Sequence, residues 1–83
     1  MTQITLYSKR YCPLCAKAER VILVLRKEFS FEFRKLDITE DSALFEKYQY
    51  DIPVIELDGV EFCRHGVEEE ALRKALKQRC SRL

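Results

Sequence analysis

Apolar and polar residues alternate with two different periods along this chain, and the switches between them mark its elements. Near the start, QITLYS interleaves strand-forming residues with polar ones and predicts a short strand at about 3–7. From Pro13 the period lengthens. Leu14, Ala18, Val21, Ile22 and Leu25 recur at intervals of three and four, the stripe of an amphipathic helix over about 13–28. Pro13 suits the first turn of that helix, where its missing N–H costs nothing. Phe31 and Phe33, then Leu36 and Ile38, alternate with polar neighbours and predict a second strand with one slip in its period. Thr39 and Asp41 are candidate caps for a short helix carrying Leu44, Phe45 and Tyr48. IPVIEL reads as a third strand, Asp58–Gly59 as a hairpin turn, and VEF as a fourth strand. Val67, Ala71, Leu72, Ala75 and Leu76 then stripe a final helix, with Glu69–Arg73 and Glu70–Lys74 as i, i+4 pairs on its wet face.

The order is therefore βαβαββα. The first strand, helix and second strand form a right-handed crossover with parallel strands, and the later hairpin adds an antiparallel pair. The expectation is one α/β domain over 1–83, a four-stranded mixed sheet flanked by helices.

Composition narrows the function classes. With 83 residues and 47% hydrophobic content, one packed core is affordable without metal or staples. Fifteen basic residues against fourteen acidic give a net charge of +1, which does not favour nucleic acid or an anionic membrane as partner. The longest apolar run, Val21 to Leu25, is far short of the roughly 18 residues that span a bilayer. The N-terminus MTQITLYS carries no basic or apolar leader pattern, so a reducing, cytoplasmic setting is expected for the four cysteines.

Cys12 and Cys15 carry the candidate chemistry. Residues three apart on a helix share a face, so the two sulfurs can meet in a disulfide. Cys12, at the predicted N-cap, lies nearest the unpaired N–H groups and partial positive charge of the helix end, which favour a thiolate over a thiol. Its pKa is expected below the free value of about 8.5, and Lys9 and Arg10 act in the same direction. Cys15 would then resolve a mixed disulfide formed at Cys12. The same spacing also fits two cysteines used as small core hydrophobes.

The element order, LYSKRYCPLC and DIPVIELDG together resemble the glutaredoxins, within the thioredoxin-fold superfamily, and the resemblance covers nearly the whole chain. It is nearest to the short branch called glutaredoxin-like proteins. The resemblance implies a thiol–disulfide oxidoreductase with Cys12 as nucleophile and Cys15 as resolving thiol, acting on protein or glutathione mixed disulfides. It implies that Pro53 follows a cis bond and faces the redox pair, and that the backbone of Ile52 pairs with an incoming peptide or glutathione. Lys9 and Gln49 match positions that contact the glycine carboxylate of glutathione. Tyr11, Pro13 and Leu14 flank the thiolate and would meet substrate. No bound cofactor is implied. Glutathione or a thioredoxin-type reductase would supply electrons to a chain acting as a monomer.

Two positions depart from the family pattern. Leu14 replaces the usual aromatic residue of C-P-Y-C, and CRHG at 63–66 replaces the Gly-Gly, small residue and Asp that grip the γ-glutamyl end of glutathione. Arg64 would repel that amine and attract a carboxylate. Cys63 and His65 open another reading, in which they join Cys12 and Cys15 as a Cys₃His set for zinc, or the chain shares an iron–sulfur cluster. A further reading is an interaction domain that keeps the fold without efficient turnover. Cys80, between Arg79 and Arg82, reads as an exposed incidental thiol.

Overall fold

The computed structural model describes residues 1–80. Strand β1 (Gln3–Ser8) leads through a short loop into helix α1 (Pro13–Arg26), and strand β2 (Glu32–Asp37) follows. A single 3₁₀ turn at Ile38–Glu40 precedes helix α2 (Ser42–Tyr48), strands β3 (Val54–Leu57) and β4 (Val60–Arg64), and helix α3 (Glu69–Arg79). The βαβαββα order expected from periodicity is the order observed. The sheet runs β2-β1-β3-β4, with β1 parallel to β2 and antiparallel to β3, and β4 antiparallel to β3.

Period-two alternation divides the sheet into two faces. Ile4, Leu6, Ile55 and Leu57 face the larger core, where Ala18, Ile22 and Leu25 of α1 meet Leu72 and Leu76 of α3. Val54, with Tyr7 beside it, lies in the smaller core with Ile38 and Tyr48, so α2 covers that side. Burying a large apolar side chain contributes about 1.5–3 kcal/mol, and the larger core holds most of them. The hairpin turn places both Asp58 (φ 51°) and Gly59 (φ 84°) in the left-handed region that a two-residue turn of this hand requires. Asp58 earns that position through its side chain, which accepts from the Gln3 N–H at 2.9 Å and from Arg79 Nη1 at 3.1 Å.

Helix ends differ from the periodic reading. α1 stops at Arg26, two residues short of 28, because the chain bends so that Phe29 drops fully into the core while its N–H still donates to the Leu25 carbonyl. Val67 packs against the core from coil, and α3 begins only at Glu69. Leu14, assigned to the apolar stripe, is 53% exposed in the first turn of α1, ahead of the point where the helix reaches the core. Ala71 is likewise exposed. Glu69 pairs with Arg73 as expected, but Glu70 turns to Arg73 as well, and Glu28 of the α1–β2 connection completes a three-carboxylate cluster around that guanidinium.

Candidate redox site

β1 delivers the chain to the site. After Ser8 the strand ends, and Tyr11 takes a left-handed conformation (φ 58°) that turns the backbone into α1. Such a conformation is strained for a residue with a side chain, and Tyr11 is at the same time almost wholly exposed. Cys12 follows as the N-cap, in extended conformation, with Pro13 at the start of the helix. The Cys12 Sγ accepts the N–H of Cys15 at 3.2 Å, and the Cys12 carbonyl accepts from Ala16 at 3.0 Å. The sulfur thus holds the capping role that an oxygen usually fills. No acidic residue lies in the first turn of α1, so nothing there competes with negative charge on that sulfur.

Cys12 and Cys15 are joined in a disulfide with their Cα atoms 5.2 Å apart. Their environments differ. Cys12 is partly exposed, whereas Cys15 is 4% exposed and backs onto the helix. An attacking sulfur must be reachable and a resolving one need not be, and of the two Cys12 is the more accessible. The pair opens into a cleft of about 500 Å³ whose walls include Lys9, Arg10, Tyr11, Pro13 and Lys35.

Leu14, between Pro13 and Cys15 in the first turn of α1, is exposed beside the pair. The remaining expected site residues lie on other elements. Gln49 is the half-buried C-cap of α2, its N–H donating to the Phe45 carbonyl at 2.9 Å. The Ile52–Pro53 bond is cis, Pro53 is buried, and Ile52 lies outside the ladder whose first β1–β3 pair is Tyr7–Val54. Arg64 is joined to this loop through Asp51, 3.2 Å from its Nη1, and donates to both oxygens of Glu61 at 2.8 and 2.6 Å. His65 reaches the same Asp51 carboxylate at 3.4 Å, and its N–H donates to the Asp51 carbonyl at 3.1 Å. Asp51 therefore ties the cis-proline loop to the β4–α3 loop, a role invisible in the sequence because it depends on which loops the sheet order brings together.

The zinc reading needs Cys63 and His65 beside the redox pair. Among the described residues, no three His, Cys, Asp or Glu side chains converge as a metal site. Cys63 instead packs half-buried against the larger core. Burial, with Glu61 nearby, pushes its thiol up to about 11. Cys80 is also half-buried against that core rather than freely exposed, and Arg82 beside it lies outside the described residues. The sequence reading also missed Glu56, whose two oxygens accept the hydroxyls of Tyr7 at 3.0 Å and Tyr48 at 3.1 Å on the α2 side of the sheet.

The profile of the glutaredoxin-like domain (DUF836) matches residues 3–77, taking in every helix and strand except the end of α3. The chain belongs to the glutaredoxin-like domain family. Among solved structures, protein XcR50 from X. campestris is 28% identical, with 90% of this chain and 96% of that one aligned at a TM-score of 0.75. Protein Ne2328 from Nitrosomonas europaea is 21% identical, with 89% of each chain aligned at a TM-score of 0.76. A mutant thioredoxin from Halobacterium salinarum is 21% identical, with 96% of this chain and 75% of that one aligned at a TM-score of 0.73. The fold is thioredoxin-like, and this glutaredoxin-like chain carries a CxxC disulfide at the N-terminus of its first helix. Among the described residues no helix is long and apolar enough to cross a membrane.

Proposed function

We propose that this glutaredoxin-like protein is a thiol–disulfide oxidoreductase that reduces protein disulfides or glutathione mixed disulfides. The observation carrying this reading is the asymmetric pair, a reachable Cys12 sulfur capping α1 and bonded to a buried Cys15. In the reduced protein the Cys12 thiolate attacks one sulfur of a substrate disulfide, and the other substrate sulfur leaves as a thiolate and takes a proton. Cys15 loses its proton and attacks the Cys12 sulfur of the mixed disulfide, expelling the second substrate thiol. Two electrons pass to the substrate, which gains two protons, and the Cys12–Cys15 disulfide of this structure is the product.

Each neighbour has a part in this scheme. Lys9 and the helix end favour the Cys12 thiolate and so make it a good leaving group. Tyr11, Pro13 and Leu14 form the exposed rim over which substrate approaches. The backbone of Ile52, held by cis-Pro53, pairs with the substrate chain, and Gln49 and Lys9 meet a terminal carboxylate. Arg64, already engaged by Glu61 and Asp51, stands where the family places small residues, which weakens the grip on the γ-glutamyl end of glutathione. Either glutathione or a thioredoxin-type reductase returns the two electrons, and no bound cofactor takes part.

The test is a single-turnover reaction of pre-reduced protein with a disulfide-bearing substrate, using the Cys15→Ser variant as a trap. Stable capture of substrate on Cys12 in the variant, with release in the native protein, supports the scheme. Absence of any mixed disulfide at Cys12 refutes it. Incubating the oxidised protein separately with glutathione and with a reductase system then assigns the reductant.

A further inference from the structure

Val54, the first residue of β3, pairs with Tyr7 of β1 on one side and with Arg64 of β4 on the other. The segment before it therefore lies between the loop that β1 leads into, with Cys12, and the loop that β4 leads into, with His65. Ile52 is half-buried in that segment. Among the described residues, neither its N–H nor its carbonyl has a hydrogen-bond partner. Backbone groups away from water are ordinarily paired, so this short piece of backbone is open to pairing with a chain from outside.

Asp51, one residue earlier, is bound at every polar group. Its N–H donates to the Tyr48 carbonyl at 2.9 Å, and its carbonyl accepts the His65 N–H at 3.1 Å. One carboxylate oxygen lies 3.2 Å from Arg64 Nη1 and the other 3.4 Å from His65 Nε2. Glu61 steadies the arginine from behind, accepting from its Nε and Nη2 at 2.8 and 2.6 Å. His65 sits in the left-handed region (φ 68°), which is unfavourable for a residue with a side chain. From that conformation both its N–H and its ring meet Asp51. Exposed ion pairs add little stability, so these contacts matter more for where they hold the backbone than for their energy.

One rigid peptide unit links the two residues. The Asp51 carbonyl and the Ile52 N–H belong to the same planar trans group, so they point in opposite directions. His65 draws the carbonyl toward the β4–α3 loop. The Ile52 N–H is thereby turned the other way, to the side of β3 where β1 delivers the redox pair. We propose that Asp51 is a positioning residue for disulfide exchange: latched to Arg64 and His65, it aims the Ile52 N–H at a backbone carbonyl beside the attacked cysteine of the substrate. The proposal rests on the oxidoreductase reading and names its substrate class, disulfides flanked by peptide bonds. A small disulfide without amides offers that N–H no acceptor. Asp51 touches no reacting atom, and the exchange at Cys12 and Cys15 proceeds as written above.

The test compares two disulfides in single turnover with pre-reduced protein. One is a short peptide whose single cysteine is in a mixed disulfide with 2-mercaptoethanol; the other is bis(2-hydroxyethyl) disulfide, which has no amides. The peptide is also made with the amides flanking its cysteine replaced, one at a time, by alkenes of the same shape, which removes the carbonyl acceptor. In the native protein one replacement should slow reduction about 10-fold, the worth of one hydrogen bond. In Asp51→Ala that penalty should shrink to about 2-fold or less, while bis(2-hydroxyethyl) disulfide reacts at the native rate. Asp51→Asn, whose amide can still accept from Arg64 and donate to the His65 ring, should restore the penalty. Arg64→Ala leaves the cis-proline loop itself unaltered and should reduce the penalty to about 3-fold, a reading that stands even if Asp51→Ala does not fold. No penalty in the native protein, or the same penalty in the native protein and the variants, overturns the positioning role. So does an equal slowing of both disulfides by Asp51→Ala. Failure of the native protein to reduce either disulfide overturns the oxidoreductase reading and the proposal with it.

Discussion

Glu56 offers a perturbation whose size follows from geometry. Its carboxylate, half-buried on β3, accepts the hydroxyls of Tyr7 from β1 and Tyr48 from α2, whose rings lie 4.8 Å apart. It therefore braces the segment that carries Gln49, Ile52 and Pro53 from both sides. A hydrogen bond to a charged acceptor is worth about 1.5–3 kcal/mol. Two at the lower figure give about 3 kcal/mol, and water access to the half-buried carboxylate cuts this to about 1.5 kcal/mol. Glu56→Ala should thus lower stability by about 1.5 kcal/mol near neutral pH, or about 1.5 M in the urea midpoint for a domain with a slope near 1 kcal/mol/M. Glu56→Gln keeps one acceptor and should lose about half as much.

Alkaline titration gives an independent reading of the same contact. Burial first, then the hydrogen bond to Glu56, pushes the Tyr7 phenol up from 10.0 to about 12. The neutral phenol is the form that the fold favours. This contribution is therefore complete below the unfolded value near 10, and is lost as pH rises through about 12. In Glu56→Ala the Tyr7 phenolate should appear at lower pH than in the native protein, by absorbance near 295 nm. A stability change within about 0.3 kcal/mol of zero, with an unmoved Tyr7 titration, would refute the bracing role.

Other consequences can be checked alongside. Cys12→Ser should abolish disulfide reduction, whereas Cys15→Ser should accumulate mixed disulfide on Cys12, both read by mass spectrometry under non-reducing conditions. Cys63, with its thiol pushed up to about 11, should alkylate about 100-fold more slowly at pH 8 in the native protein than in urea; equal rates would contradict its buried placement. Arg73→Gln, which removes the cation shared by Glu28, Glu69 and Glu70, should lower the urea midpoint. The loss should shrink in 1 M salt, and a salt-independent loss would point to packing rather than charge.

Much of the fold is legible in the sequence because the strongest signal, periodic burial, is local. The α1 positions Ala18, Ile22 and Leu25 and the α3 positions Leu72 and Leu76 follow from spacing alone. Asp58–Gly59 marks its turn because few residue pairs tolerate two positive φ values in succession. The cysteine pair is visible as a candidate, since i, i+3 spacing at the start of a helix lets two sulfurs meet, but the cap and the bond themselves are seen only in the structure. What stayed hidden depends on contacts between distant segments. Arg64 could be seen as a charge replacing a small residue, but not as the partner of Asp51 thirteen positions earlier. Glu56 reads as an ordinary polar strand position until β1 and α2 bring two tyrosines to it.

The central claim is that the end of α1 makes Cys12 an activated nucleophile. The most direct test is the alkylation rate of Cys12 against pH in the reduced, metal-free protein, with the modified residue located by mass spectrometry. A midpoint well below the free-cysteine value of about 8.5 is predicted. A midpoint at or above it would contradict the claim and leave the pair as helix-capping, core-filling cysteines.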